Sequence, residues 1–295
     1  MSDKIEFYKS RSISERVSVA VDFLKQNWKV LYKNILIGGI PLAIILGYFM
    51  VKQTNIEPIS DLFIFFLYYS LLIIVSFVNF VYVYSMTGSV LLHYEQNQLT
   101  ETTGWNDSKD NFFKLAGKTT LISLIIYIPI IVIAAIVFGI FGISVAASSS
   151  SGMVGSILLL IFFIIVLLGG FIAVAPSITM LYFPAYFSGK TNMESIKIAF
   201  SLGFKNWGSL FVAIILTGIV FSVIYMIFTA PFQILTLFSL GEINIISFIL
   251  ATLSALGTFL VYPVMTTIFA FQYFSIVEKE EGVSLQSQVS EFENL

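Results

Sequence analysis

Residues 12–32 read SISERVSVAVDFLKQNWKVLY, and 179 positions later residues 191–211 read TNMESIKIAFSLGFKNWGSLF. In the ungapped register Glu15 meets Glu194, Ala20 meets Ala199, Asn27 and Trp28 meet Asn206 and Trp207, and Gly39 meets Gly218. The register persists to Met86-Thr87 and Tyr94, which meet Met265-Thr266 and Tyr273. Matches of Ile and Leu count for little in an apolar chain, so the Trp, Asn, Glu and Met-Thr matches carry the repeat.

Both copies open on a helix start. Ser12 with Glu15 and Thr191 with Glu194 have the S/T-x-x-E spacing of a capping box. Beyond it, Val17, Ala20, Val21, Leu24, Trp28 and Leu31 form an apolar stripe, with Arg16, Asp22, Lys25 and Lys29 facing away. Ile196, Phe200, Phe204, Trp207 and Phe211 repeat the stripe in the last copy. The pattern predicts amphipathic helices lying in the membrane interface. Trp28 and Trp207 are expected to anchor them there, and Asn27 and Asn206 to satisfy backbone groups where the chain turns into the bilayer.

The composition places these helices on a membrane protein. Of 295 residues 58% belong to the AVILMFWYC set and only 11% are charged, and the mean hydropathy is +0.94. The apolar runs reach the ~20 residues a spanning helix needs and lack the alternation of a membrane barrel. The expected fold is therefore all-α and integral to the membrane, with spans at Asn34–Val51, Leu62–Leu92, Thr119–Val145, Met153–Phe187, Leu210–Phe238 and Ile245–Val277. These six spans pair into three hairpins. Of the fifteen basic residues, fourteen fall on one side of this arrangement and Lys52 alone on the other, which predicts that both termini are cytoplasmic.

The middle third fits the repeat at a different spacing. Thr179 and Tyr186 reproduce the seven-residue interval of Thr87/Tyr94 and Thr266/Tyr273, which puts both side chains on one helix face. Three parallel copies are expected, at about 12–98, 103–190 and 191–283, each an amphipathic helix followed by a hairpin, around a pseudo-threefold axis. Residues 278–295 form a polar, acidic tail.

Little in the sequence carries chemistry. There is no Cys, which excludes disulfides, thiolate metal sites and thiol catalysis. Phosphate-loop, zincin and serine-hydrolase motifs are missing, and the single His93 has no second His or Cys to share a metal. No catalytic residue, cofactor, metal or nucleic-acid partner is expected; the expected partners are the lipid bilayer and a membrane protein. Ser70, Ser76, Asn79, Thr87, Ser177 and Thr179 lie within spans, where their expected role is interhelical hydrogen bonding, and glycines such as Gly38-Gly39 allow close helix approach.

The long span ending in Pro-x-x-Thr, the SGKTNMESIKIAFSLGFKNWGSLF stretch and the closing FAFQYFSIVEKEEGVSL together resemble a bacterial family. It comprises the six-span inner-membrane proteins grouped with the membrane domain of glycerophosphoryl diester phosphodiesterases. The family's YxDLRxRxEG ending stands here as YFSIVEKEEG at 273–282, without its Asp and Arg, and no residue of the soluble hydrolase domain carries over. The resemblance implies a multi-pass protein of the bacterial inner membrane. The expected function is a non-enzymatic scaffold or accessory protein organising a membrane partner or lipids; the alternative is a channel or transporter for a lipid-like or small neutral molecule.

The charge partition is directly testable. A reporter active only outside the cytoplasm should give signal when fused after Ser150 and none when fused after Leu295; the reverse pattern overturns the six-span topology.

Overall fold

Both capping boxes form. The Ser12 N–H donates to Glu15 Oε2 (2.7 Å) and the Glu15 N–H to Ser12 Oγ (3.4 Å). In the later copy the Thr191 N–H donates to Glu194 Oε2 (2.8 Å) and the Glu194 N–H to Thr191 Oγ1 (3.3 Å). The bonds from Thr191 hold the Glu194 carboxyl below its usual range, so this cap contributes in full above the ordinary carboxylate range and is lost as pH falls on through the lowered pKa.

The computed structural model describes residues 4–54, 62–101, 103, 112–114, 116–118, 161–162, 180–238 and 245–284, and among them there is no strand. The helices are α1 (Ile13–Thr54), α2 (Leu62–Glu95), α3 (Asn192–Lys205), α4 (Trp207–Phe238) and α5 (Ile245–Glu281), with a further helical segment at residues 180–187. Four of them, over Ile13–Lys52, Leu67–Glu95, Trp207–Leu237 and Ile245–Glu281, are long and apolar enough to cross a membrane. These match the first, second, fifth and sixth expected spans. The third span, most of the fourth, Thr179 and the tail from residue 285 lie outside the described residues.

One expectation at the repeat differs. α1 runs without interruption through Asn27 and Trp28, whereas Asn206 stands in a turn between α3 and α4. There the Asn206 N–H is shared between the Leu202 and Phe204 carbonyls. Gly203 and Gly208 flank this turn, and the positions 179 earlier are Leu24 and Lys29. Each glycine costs a helix about 1 kcal/mol relative to alanine, so the later copy breaks where the earlier one continues.

α5 is the central element, packing against α1, α4 and α2, while α1 also packs on α2. From Thr266 to Val277 every residue of α5 is buried, and so is every residue of α2 from Val81 to Leu91. At 42 residues α1 is about 62 Å long, twice the ~30 Å hydrocarbon core. The surplus gathers at the end carrying the basic residues, as a packed layer beyond the apolar spans.

Glycines set how closely α1 and α5 approach. A Cβ on Gly39 would meet the Phe259 ring at 2.7 Å, and one on Gly47 would stand 2.8 Å from the Thr252 backbone nitrogen. A backbone atom cannot move aside as a ring can. Gly47→Ala should therefore destabilise the protein by about 1–3 kcal/mol. Gly218→Ala, with nothing within 4 Å, should be neutral or stabilise by up to about 1 kcal/mol. Thermal unfolding in detergent distinguishes the two.

Candidate functional site

At the basic end the chain before α1 closes over the helices. The Phe7 side chain is 5% exposed, with ring centroids 5.7 Å from Tyr94, 5.2 Å from Phe271 and 4.8 Å from Phe274. Hydrogen bonds pin the same segment. The Ile5 N–H donates to Tyr94 Oη (3.0 Å), Lys4 Nζ to the Glu95 carbonyl (3.0 Å) and the Arg11 N–H to Ser275 Oγ (2.9 Å). Burial lowers the Arg11 pKa and raises that of Tyr8.

Arg16 was expected to face solvent but is turned inward and is 6% exposed. Its Nε donates to the Arg11 carbonyl (2.8 Å) and its Nη1 to Gln272 Oε1 (2.7 Å). Among the described residues no carboxylate pairs with it. Gln272 is fully buried, and among the described residues its Nε2 has no partner. The sequence could not signal this pair, because the apolar stripe is read from neighbours in the chain and Gln272 lies 256 residues away.

The expected anchors and repeat positions sit around this layer. Asn27 is buried and donates Nδ2–H to the Phe23 carbonyl (2.9 Å); Asn206 does the same to Leu202 (3.1 Å). Trp28 is 55% exposed, and the Trp207 ring stacks on Phe211 at 5.1 Å. Thr87 and Thr266 are both buried and donate to their own helices, at Val83 (2.8 Å) and Tyr262 (2.9 Å). Tyr94 donates to Gln26 Oε1, Tyr273 is buried, and the Tyr186 ring lies 3.8 Å from Lys118 Nζ. A void of about 10 Å³ remains here, lined by Leu91, Glu95, Phe183, Phe187, Ala270 and Phe274 among others. It has barely room for one water.

Nearer the middle of the helices a second space opens, a cavity of about 270 Å³ lined by α1, α2, α4 and α5. Met50, Ser76, Asn79, Tyr225, Ser254 and Tyr262 are among its walls. Asn79 lies about 24 Å along α2 from Glu95 and about 26 Å from Leu62. It is 2% exposed and donates Nδ2–H to Thr258 Oγ1 (2.9 Å). The Thr258 hydroxyl gives its own proton to the Ala255 carbonyl (2.7 Å), so it can only accept from Asn79. In this arrangement Asn79 Oδ1 is buried without a partner among the described residues. Rings of Phe80, Tyr84, Phe183 and Tyr262 separate the cavity from the small void, with Phe80–Tyr84 centroids 4.3 Å and Tyr84–Phe183 4.9 Å apart. Ser76 and Asn79 were legible as polar residues within a span; Tyr225, Ser254, Thr258 and Tyr262 were not singled out, and only the packing brings them together.

No family model, curated protein or solved structure matches the chain.

The inward Arg16 gives a prediction. Gln272→Leu should cost about 2 kcal/mol, because it strips a buried cation of an acceptor. In the double variant Arg16→Met/Gln272→Leu both polar groups leave together, and at least half of that loss should return. Thermal unfolding of the single and double variants measures the coupling.

Proposed function

We propose that the protein is a non-enzymatic scaffold or accessory protein of the bacterial inner membrane that organises a membrane partner or lipids. In this reading six spans form three parallel hairpins, each introduced by an amphipathic stretch, around a pseudo-threefold axis, with both termini cytoplasmic. The linings of the two spaces support the repeat. Leu91, Phe183 and Ala270, and likewise Glu95, Phe187 and Phe274, are positions separated by 92 and 179 residues, and all six line the small void. In the larger cavity, Leu46 and Tyr225, Ser76 and Ala255, and Asn79 and Thr258 are pairs at the 179-residue offset. Equivalent positions meet in space when a symmetry axis runs between them.

The observation that carries the scaffold reading is closure at the basic end. The void there is about 10 Å³, Thr87 and Thr266 are dry and bonded to their own helices, and the Phe7 segment covers the end. A transport path through this axis would have to part four aromatic rings and displace that segment. The mid-bundle cavity favours the alternative, a channel or transporter for a lipid-like or small neutral molecule, only if it connects to the basic end.

The chain has no Cys, so single cysteines report cleanly. Thr87→Cys and Thr266→Cys should both resist a small water-soluble thiol reagent in membranes, while Lys29→Cys, on the exposed face of α1, should react at once. Rapid labelling at both threonine positions overturns the scaffold reading in favour of a path. Purification in mild detergent should then recover a stoichiometric membrane protein or a fixed lipid complement; recovery of the bare chain counts against it.

A further inference from the structure

We propose that the mid-bundle cavity is a binding site for an uncharged lipid bearing a hydroxyl group, with Asn79 Oδ1 accepting the hydroxyl proton. This goes beyond the scaffold reading and does not depend on it.

Four observations converge on this chemistry. The space, about 270 Å³, is at the lower edge of small-molecule sites and several times the ~30 Å³ share of one water. Its wall is built from two kinds of residue. Leu46, Met50, Leu72 and Phe232 are apolar, while Ser76, Ser254, Tyr225 and Tyr262 bring hydroxyl groups. No charged side chain is among the described lining residues, so a charged headgroup would meet no counter-charge in a region where an unpaired charge is costly. The fourth observation is the unpartnered Asn79 Oδ1.

That atom marks an unfilled demand. A buried acceptor without a donor costs about 1–3 kcal/mol, and several hydroxyl side chains in these helices avoid that cost by bonding one turn back. Thr217 donates to Ala213 and Ser222 to Gly218. Asn79 cannot do this with Oδ1, since a helix carbonyl offers no proton. Among the described residues the atom has no donor, and a hydroxyl is the uncharged donor that a lipid carries. The wall hydroxyls can in turn donate to ester carbonyls of the same molecule. Among the described helices α2 and α4 both pack on α5 without an extensive interface of their own.

The probe is 1,2-dioctanoylglycerol, compared with its 3-O-methyl ether, which has the same shape and lacks the donor. With the full-length protein in nanodiscs, native mass spectrometry and thermal shift should show one saturable copy of the alcohol. It should bind about tenfold more tightly than the ether, the worth of one buried hydrogen bond. Asn79→Leu should fold with undiminished thermal stability and lose the preference for alcohol over ether. Leu72→Trp, which fills the space without touching Asn79, should abolish saturable binding of both. Should Asn79→Leu fail to fold, the wild-type comparison and Leu72→Trp decide. Equal binding of alcohol and ether, or undiminished binding to Leu72→Trp, overturns the proposal. Absence of saturable binding overturns it too, and means that the cavity holds water only.

Discussion

α1 and α5 meet at Gly47, where the Thr252 hydroxyl and backbone stand against the glycine, and the remaining helices pack around that pair. A Cβ there would lie 2.8 Å from the Thr252 nitrogen, so only a glycine allows this close approach. In lipid, helix association draws on packing and hydrogen bonds rather than on expulsion of water, which makes such a contact worth more than any apolar side chain pointing outward. Gly39 against Phe259 and Gly257 against Phe228 extend the principle to a second turn of the same pair and to α4. With α5 thus gripped between α1 and α4, α2 packs beside them and completes the walls of the cavity.

The elements most legible in the sequence were those set by local chemistry. Capping boxes need only residues three apart, and spans need only an apolar run, so Ser12/Glu15, Thr191/Glu194 and four of the expected spans stand where they were read. Continuity through Asn27 was not legible from the Asn-Trp pair itself, because the difference between the copies lies in the flanking Gly203 and Gly208. Arg16 escaped for another reason. A stripe of apolar residues tells which side of an interfacial helix meets lipid, yet here a third surface exists, the packed layer beyond the bilayer, where a cation can turn inward to a glutamine from the far end of the chain. The cavity was the least legible feature. Its polar residues come from three helices and its volume from the way the helices diverge.

Asn79 and Thr258 stand 179 residues apart, the offset at which the sequence repeats, and they are bonded to each other. Two threonines there could each have bonded a carbonyl of their own helix, as Thr87 and Thr266 do, and left nothing over. An asparagine against a threonine leaves one oxygen over. The Asn79–Thr258 pair therefore departs from the self-bonded pattern of Thr87 and Thr266, and it does so at the wall of the cavity of about 270 Å³.

Depth is set at the other end. Lys25, Lys29 and Lys33 are exposed on α1, and the Lys25–Asp22 pair at 3.7 Å is too exposed to stabilise the fold appreciably. Near a bilayer, however, each such lysine is worth about 1 kcal/mol against anionic headgroups, and the exposed Trp28 favours the same level. Together they hold the packed layer outside the hydrocarbon. Asn79, about 24 Å along α2 from Glu95, then falls within it. The aromatic rings of Phe80, Tyr84, Phe183 and Tyr262 stand between the cavity and the basic end, so for an uncharged amphiphile that reaches Asn79 the bilayer itself is the natural source.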